Sequence, residues 1–350
     1  MQIASAASAF PPLYYPQETL LAAFQSYWGD KLENPRVLTH FHRGVGVDGR
    51  HLAMPMEKYL DLNTWGEAND VWIDVAVDLG QQALTTAATR ANVDPAELGA
   101  LFFVSISGVA SPSIDARLIN RMSLSPRIRR MPIFGLGCVA GAAGIARAAD
   151  YVKAYPKQYA ALVSVETCSL TLQRDDLSVA NIISSGLFGD GAAAVIVAGA
   201  DCPPAQGPKI LATRSVFFPN TEHVMGWDVS EKGFQIVLTR EVPEMVRKHL
   251  AVELDAFLAD MHLSRAEVGS WILHTGGPAV LEATEASLGL RNGELQVSWD
   301  CLRKQGNLSS ASVLCVLEEV MEHRRPTPGT LSVLAAMGPG FCSELVLLRW

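Results

Sequence analysis

The sequence predicts an α/β fold made of two related halves, and three observations carry that expectation. One is a repeat in the order of elements: strand, helix, strand, strand occurs once before the middle of the chain and once after it. Another is the segment 199–208, Gly-Ala-Asp-Cys-Pro-Pro-Ala-Gln-Gly-Pro, which is dense in turn-forming residues and makes a natural boundary. The third is composition. Of 350 residues, 49% are apolar and only 18% charged, so much of the chain is expected to be buried. The halves are accordingly set at 1–200 and 209–350.

Along the chain, the first residues lead directly into an apolar strand. A long helical pattern over 68–91 follows, and Leu-Phe-Phe-Val-Ser-Ile at 101–106 reads as a strand. Small residues at 134–144 then turn the chain into a helix expected over 145–152, followed by strands at 159–165 and 192–197. In the second half Pro243 stands where a first helical turn tolerates proline, and its helix runs to Phe257. A strand at 271–274, a helix over 309–321 and strands at 331–335 and 344–349 complete the repeat. The helices over 68–91 and 243–257 are expected to cover outer faces.

Charge and cysteine usage exclude several classes. A net charge of −8 argues against a nucleic-acid partner, so an anionic ligand needs a local basic cluster. No run approaches the roughly 20 apolar residues of an integral membrane segment, and the first residues lack a basic signal-peptide region. The cysteines at 138, 168, 202, 301, 315 and 342 form no CxxC pair, so a reducing cytoplasm is expected.

Cys138 stands in Phe-Gly-Leu-Gly-Cys-Val-Ala-Gly-Ala-Ala-Gly at 134–144, at the entrance to a helix. The unpaired N–H groups and positive dipole there favour thiolate over thiol, and the flanking glycines let a substrate approach the sulfur. His274 ends an apolar strand and opens into Thr275-Gly276-Gly277-Pro278, where α/β folds place site residues. Asn307 lies in Gly306-Asn307-Leu308-Ser309-Ser310, at the start of the second-half helix, and by the repeat takes roughly the place that Cys138 takes in the first half. Each has a plain structural explanation, Asn307 as a helix cap above all. Together they form a constellation of nucleophile, base and neutral donor.

The order Cys, His, Asn also occurs in papain-like proteases, but those carry disulfides and a Cys-Trp nucleophile motif that this chain lacks. Over its full length the chain resembles the type III polyketide synthases, the chalcone- and stilbene-synthase-like family. The matching segments are 137–141, Leu-Phe-Gly-Asp-Gly-Ala-Ala-Ala at 187–194, the His274 strand, Gly-Asn-Leu-Ser-Ser-Ala-Ser-Val at 306–313, and Met-Gly-Pro-Gly-Phe at 337–341. The resemblance implies a thiolase-like, five-layered αβαβα fold and a homodimer paired through the loop containing Ser111-Pro112-Ser113. It also implies acyl-CoA and malonyl-CoA as substrates, with neither metal nor redox cofactor. Cys138 would carry the acyl starter, its thiolate kept by the helix end and by protonated His274, while His274 and Asn307 would donate hydrogen bonds to the enolate that forms as malonyl-CoA loses CO₂.

The same resemblance makes Phe188 a gatekeeper between a CoA tunnel and a reaction chamber. Ile236 stands where a second, often aromatic, gatekeeper is found, and Trp227, Thr171 and Gly338 are assigned to the pocket that shapes cyclisation. Arg50 matches a basic position near the CoA phosphates. The wording of these segments resembles the bacterial branch making alkylresorcinols and alkylpyrones from long fatty acyl starters. Two alternatives stay open: a single condensation as in initiating ketoacyl-ACP synthases, and acyl-CoA hydrolysis by the same cysteine. Gly44-Val45-Gly46-Val47-Asp48-Gly49 formally satisfies GxGxxG, but no strand is expected before it and no helix after it. His40 and His42 lack the further ligands of a metal site, and Asp190 reads as a structural turn or hydrogen-bonding residue rather than a catalytic acid.

Overall fold

The computed structural model describes residues 1–350. The first half runs through β1 (Gln2–Ala9), β2 (Leu13–Pro16), α1 (Gln17–Trp28), α2 (Arg36–Gly44) and β3 (Gly49–Leu52). It continues with α3 (Trp65–Ala91), β4 (Leu98–Val104), α4 (Ile114–Arg121), β5 (Arg129–Ile133) and α5 (Ala140–Ala154). It closes with β6 (Tyr159–Thr167), α6 (Val179–Leu187) and β7 (Asp190–Ala198). The second half opens with β8 (Lys209–Phe217), the hairpin β9 (Met225–Ser230) and β10 (Gly233–Leu238), and α7 (Glu241–Asp260). Then come β11 (Val268–Leu273), α8 (Pro278–Leu288), α9 (Gln296–Gln305), α10 (Ser312–His323), β12 (Leu331–Gly338) and β13 (Cys342–Arg349).

The strand order repeats. In the first half it is β1-β7-β6-β4-β5, with β1–β7 and β6–β7 antiparallel and β4–β6 parallel. In the second it is β8-β13-β12-β11, with β8–β13 and β12–β13 antiparallel and β11–β12 parallel. The two sheets join only where Gln2 pairs with Lys209, and β5 is the one strand without a counterpart.

Because successive strand residues face opposite sides, the period of two sorts the core into layers. Ala100, Phe102 and Val104 share one apolar cluster with Ile272, Leu334, Ala336, Val346 and Leu348 of the second sheet, and α5 and α10 fill the space between them. The intervening Leu101 and Phe103 turn outward onto α3. On the second sheet Trp271, Leu273, Val333, Ala335, Leu345 and Leu347 turn outward onto α7 and α8. The layers are therefore α3, sheet, α5 with α10, sheet, α7 with α8.

Two boundaries differ from the sequence expectation for local reasons. Helix α3 begins at Trp65 rather than 68 because Thr64 and Glu67 close a capping box. Helix α5 begins at Ala140 rather than 145 and includes Gly141 and Gly144, residues that lower helix propensity. They are required by contact: a Cβ on Gly141 would lie 2.2 Å from the Ser310 carbonyl, and one on Gly144 would meet Leu162 at 2.5 Å.

Candidate active site

The nucleophile turn is built from Gly137–Val139 in a tight helical turn that feeds α5, with Gly137 held at φ +54. The second half repeats it: Ser309–Ala311 form the same kind of turn before α10, with Ser309 at φ +47. The positional counterpart of Cys138 is therefore Ser310, and Asn307 lies three residues earlier. The two turns meet, and Cys138 Sγ lies 3.5 Å from Ser309 Oγ.

Asn307 is held on both sides. Its backbone N–H donates to the Leu187 carbonyl at 2.9 Å, and its carbonyl accepts from Gly189 N–H at 3.0 Å. Its Oδ1 accepts from the Ser309 backbone N–H at 2.8 Å and from Ser312 Oγ at 3.3 Å. A backbone N–H can only donate, so the facing amide atom must be the oxygen, and the two amide N–H donors remain free of protein partners. His274 follows β11 directly, its backbone N–H donating to the Ala335 carbonyl at 3.1 Å. No protein group hydrogen-bonds its imidazole, and its Nδ1 is buried without a partner.

Cys138, His274, Asn307 and Phe188 line one cavity of about 770 Å³, drawn from both halves and rimmed by the exposed His40 and Arg240. Burial pushes the Cys138 thiol up to about 12, with the Glu166 carboxylate adding to the rise and the Ser309 hydrogen bond opposing it. Burial alone lowers His274 to about 4. Burial thus favours the neutral thiol and the neutral imidazole, not the protonated His274 expected beside a thiolate. Desolvation of the sulfur opposes the thiolate that the helix entrance was expected to favour.

A second cavity of about 370 Å³ is lined by Thr171, Trp227, Ile236, Arg50 and Phe188. Trp227 and Ile236 face each other as a register pair of the β9–β10 hairpin. Phe188 lines both cavities. No group of three or more His, Cys, Asp or Glu side chains is arranged to hold a metal ion.

This geometry accompanies clear relatedness. The chalcone and stilbene synthase N-terminal domain matches residues 56–202, and the C-terminal domain of the same family matches 209–350. The chain belongs to the chalcone and stilbene synthase family of type III polyketide synthases. It is 46% identical to a 1,3,6,8-tetrahydroxynaphthalene synthase of Streptomyces peucetius subsp. caesius, covering 99% of this chain and 93% of that one. A phloroglucinol synthase of Pseudomonas fluorescens is 30% identical over 97% of this chain and 98% of its own length. The crystal structure of 1,3,6,8-tetrahydroxynaphthalene synthase from Streptomyces coelicolor A3(2) superposes with a TM-score of 0.95, at 29% identity, covering 100% of this chain and 99% of that one. The fold is thiolase-like, and the protein is an enzyme of the acyltransferase type that condenses malonyl-CoA units.

Two positions of this type III polyketide synthase differ from the roles given them on sequence grounds. Arg50 does not offer a surface guanidinium to CoA phosphates: it is 3% exposed, and its Nη1 donates to the Phe188 carbonyl at 2.8 Å. Pairing of β3 with β2 carries it inward, where Tyr15 is its partner in the ladder. Gly338 lines neither cavity. A Cβ there would meet Val139 N at 2.7 Å and Leu136 O at 2.9 Å, so it lets β12 rest on the nucleophile turn, while its neighbours Met337 and Phe341 reach the first cavity.

Asp190 is the first residue of strand β7 rather than a turn residue, and serves as a hydrogen-bonding group, accepting from the Ala53 N–H at 2.6 Å, the Ser169 N–H at 2.9 Å and the Ser169 hydroxyl. Helix α2 precedes the Gly44–Gly49 run and strand β3 follows it, so it opens no helix. Sequence reasoning missed Ser309 and Glu166. Glu166 is fully buried behind the nucleophile and accepts from the Ile106 and Ser107 N–H groups and the Ser107 and Ser310 hydroxyls. A lone carboxylate in the largely apolar strand β6 was the available signal.

Proposed function

We propose that the protein builds an oligoketide from malonyl-CoA, using Cys138 as nucleophile, His274 as proton acceptor and donor, and Asn307 as oxyanion donor. Cys138 gives its proton to His274 and attacks an acyl thioester, and CoA thiol leaves. A malonyl-CoA then binds with its thioester oxygen toward His274 and the Asn307 amide. Loss of CO₂ leaves an enolate, which these donors stabilise as the charge develops. The enolate carbon attacks the acyl–Cys138 thioester, lengthening the chain by two carbons and freeing the sulfur. No metal or redox cofactor is required for these steps.

The observation that carries this reading is the Asn307 carboxamide. Its oxygen is fully engaged by Ser309 and Ser312, which leaves its N–H donors on the cavity that Cys138 and His274 share. The tetrahydroxynaphthalene-forming relatives suggest the starter class. That product is oxygenated at alternate positions, the pattern that successive two-carbon units leave, and it calls for a malonyl-derived starter. A second reading, a medium- or long-chain fatty acyl starter closed to an alkylpyrone or alkylresorcinol, is favoured by the Leu20, Phe24, Leu52 and Met56 side of the second cavity. Paired copies are part of the proposal, and the exposed Phe134 four residues before the nucleophile is a candidate contact.

The test is to incubate the protein with malonyl-CoA alone and with dodecanoyl-CoA plus malonyl-CoA, following CO₂ release and product masses. Hydroxylated aromatic products from malonyl-CoA alone support the first reading, and alkylpyrones only with the fatty starter support the second. Release of free fatty acid without CO₂ would show a hydrolase instead. Cys138→Ala should make no product. Asn307→Asp keeps the acceptor for Ser309 but replaces a donor with a charge, and should slow CO₂ release roughly a hundred- to a thousandfold.

A further inference from the structure

The hairpin β9–β10 forms a two-stranded sheet of its own, apart from the nine-stranded sheet. Residues opposite each other in its register point the same way. Met225 and Leu238 form one such pair and line the first cavity; Trp227 and Ile236 form the next and line the second. The hairpin therefore borders both. Further toward its tip, Phe234 packs against the rings of Trp65 at 5.5 Å and Phe134 at 6.1 Å. Such apolar contacts are non-directional and do not fix a strand along its own axis.

Hydrogen bonds do fix it, and those joining residues 225–238 to the rest of the chain end on two residues of the loop after β6. Gln173 Nε2 donates to the Lys232 carbonyl at 3.0 Å and to the Phe234 carbonyl at 3.1 Å. Gln235 Nε2 meets Asp176 Oδ2 at 3.4 Å, an exposed and weaker contact. The loop is itself anchored from the other side. Asn181 Nδ2, on α6, donates to the Gln173 and Asp176 carbonyls at 2.8 Å and 2.7 Å, and Trp28 Nε1 donates to the Arg174 carbonyl at 2.7 Å. Gln173 Nε2 also lies 3.3 Å from the carbonyl of Thr171, which lines the second cavity, whereas Gln173 lines neither cavity.

We propose that Gln173 is a positioning residue for the reaction, an assignment that rests on the polyketide reading above. Its carboxamide holds β10 against the anchored loop and so sets the spacing between Thr171 and the Trp227–Ile236 pair. One amide shared by two carbonyls two residues apart fixes the strand both along and across its axis. Without it the hairpin is held mainly by ring contacts, and Trp227 and Ile236 can shift against Thr171. The sulfur, imidazole and carboxamide of the first cavity stay where they are, so decarboxylation continues while the choice among products is relaxed.

The test compares Gln173→Leu, Gln173→Glu and Gln173→Lys with the unaltered protein, each supplied with malonyl-CoA. Two quantities are read: the main product formed per CO₂ released, and hydrogen exchange of the 225–238 amides by mass spectrometry. Gln173→Leu and Gln173→Glu should leave CO₂ release within about twofold, lower the product ratio about tenfold and speed exchange about as much, the weight of one neutral hydrogen bond. Gln173→Lys, whose ammonium can donate to the same carbonyls, should recover both. An unchanged product ratio or unchanged exchange in folded Gln173→Leu overturns the proposal, and so does a fall in CO₂ release that matches the fall in product. Should Gln173→Leu fail to fold, Gln173→Glu is read the same way. A Gln173→Lys protein no better than Gln173→Glu also overturns it, since the donors would then not matter. Failure of the unaltered protein to release CO₂ from malonyl-CoA would instead overturn the polyketide reading itself.

Discussion

The thiol of Cys138 and the imidazole of His274 are both kept neutral by the burial that shapes the cavity. Reactivity at this sulfur therefore depends on a proton acceptor rather than on the helix end alone. The expected result follows directly. Alkylation of Cys138 by iodoacetamide, measured against pH by peptide mass spectrometry, should shift to higher pH by more than one unit in His274→Gln, because no acceptor then remains. Superimposable profiles for the two proteins would show that His274 does not take the proton. That Cys138, His274 and Asn307 share one cavity was foreseeable because each stands in an unusual local context: a thiol among glycines, a histidine at a strand end, an asparagine before a serine-rich helix start. Ser309 was not, because its place beside the sulfur comes from two halves of the chain meeting, and no local pattern encodes that.

Elements explain what single residues cannot. The strand-helix-strand-strand repeat was readable from apolar runs, whereas the start of α5 was not, because Gly141 and Gly144 count against a helix until the partner surface is known. The inward position of Arg50 was hidden for the same reason: β3 pairs with β2, an element too short to read from four residues of sequence. The contact at Gly141 can be tested in isolation. A methyl there meets the Ser310 carbonyl at 2.2 Å and Val313 at 2.9 Å, so the N-terminal turns of α5 and α10 must separate. Gly141→Ala should cost about 1–3 kcal/mol of stability and reduce CO₂ release from malonyl-CoA. At Gly29 a new Cβ meets nothing within 4 Å and the backbone is right-handed helical, so Gly29→Ala should leave both unchanged. Equal behaviour of the two variants in thermal melts and turnover would remove close approach as the reason for Gly141.

For the molecule as a whole, the buried titratable groups set how stability follows pH. His42, on α2 and fully buried, shares a hydrogen bond of 3.1 Å between its Nε2 and Ser185 Oγ, and Gly186 leaves room for its ring. Burial, with the Arg50 charge second, lowers it to about 3. The unfolded chain binds this proton near pH 6.5, and the folded one only near pH 3. Between those values the unfolded state holds more protons, so the contribution of His42 is fully present above pH 6.5 and is lost as the pH falls. Asp190 works in the opposite sense: burial raises it to about 6, so it favours the fold in acid and loses that contribution as the pH rises through 6. The total curve mixes the two, and the informative quantity is a difference. His42→Gln stays neutral at every pH and keeps a polar group beside Ser185. From pH 7.5 to pH 5.0 the stability advantage of the unaltered protein over this variant should shrink by about 2 kcal/mol, one proton over the 1.5 units below 6.5. Urea melts at the two pH values measure it, and a constant difference would mean that His42 is protonated in the folded state or already neutral in the unfolded one.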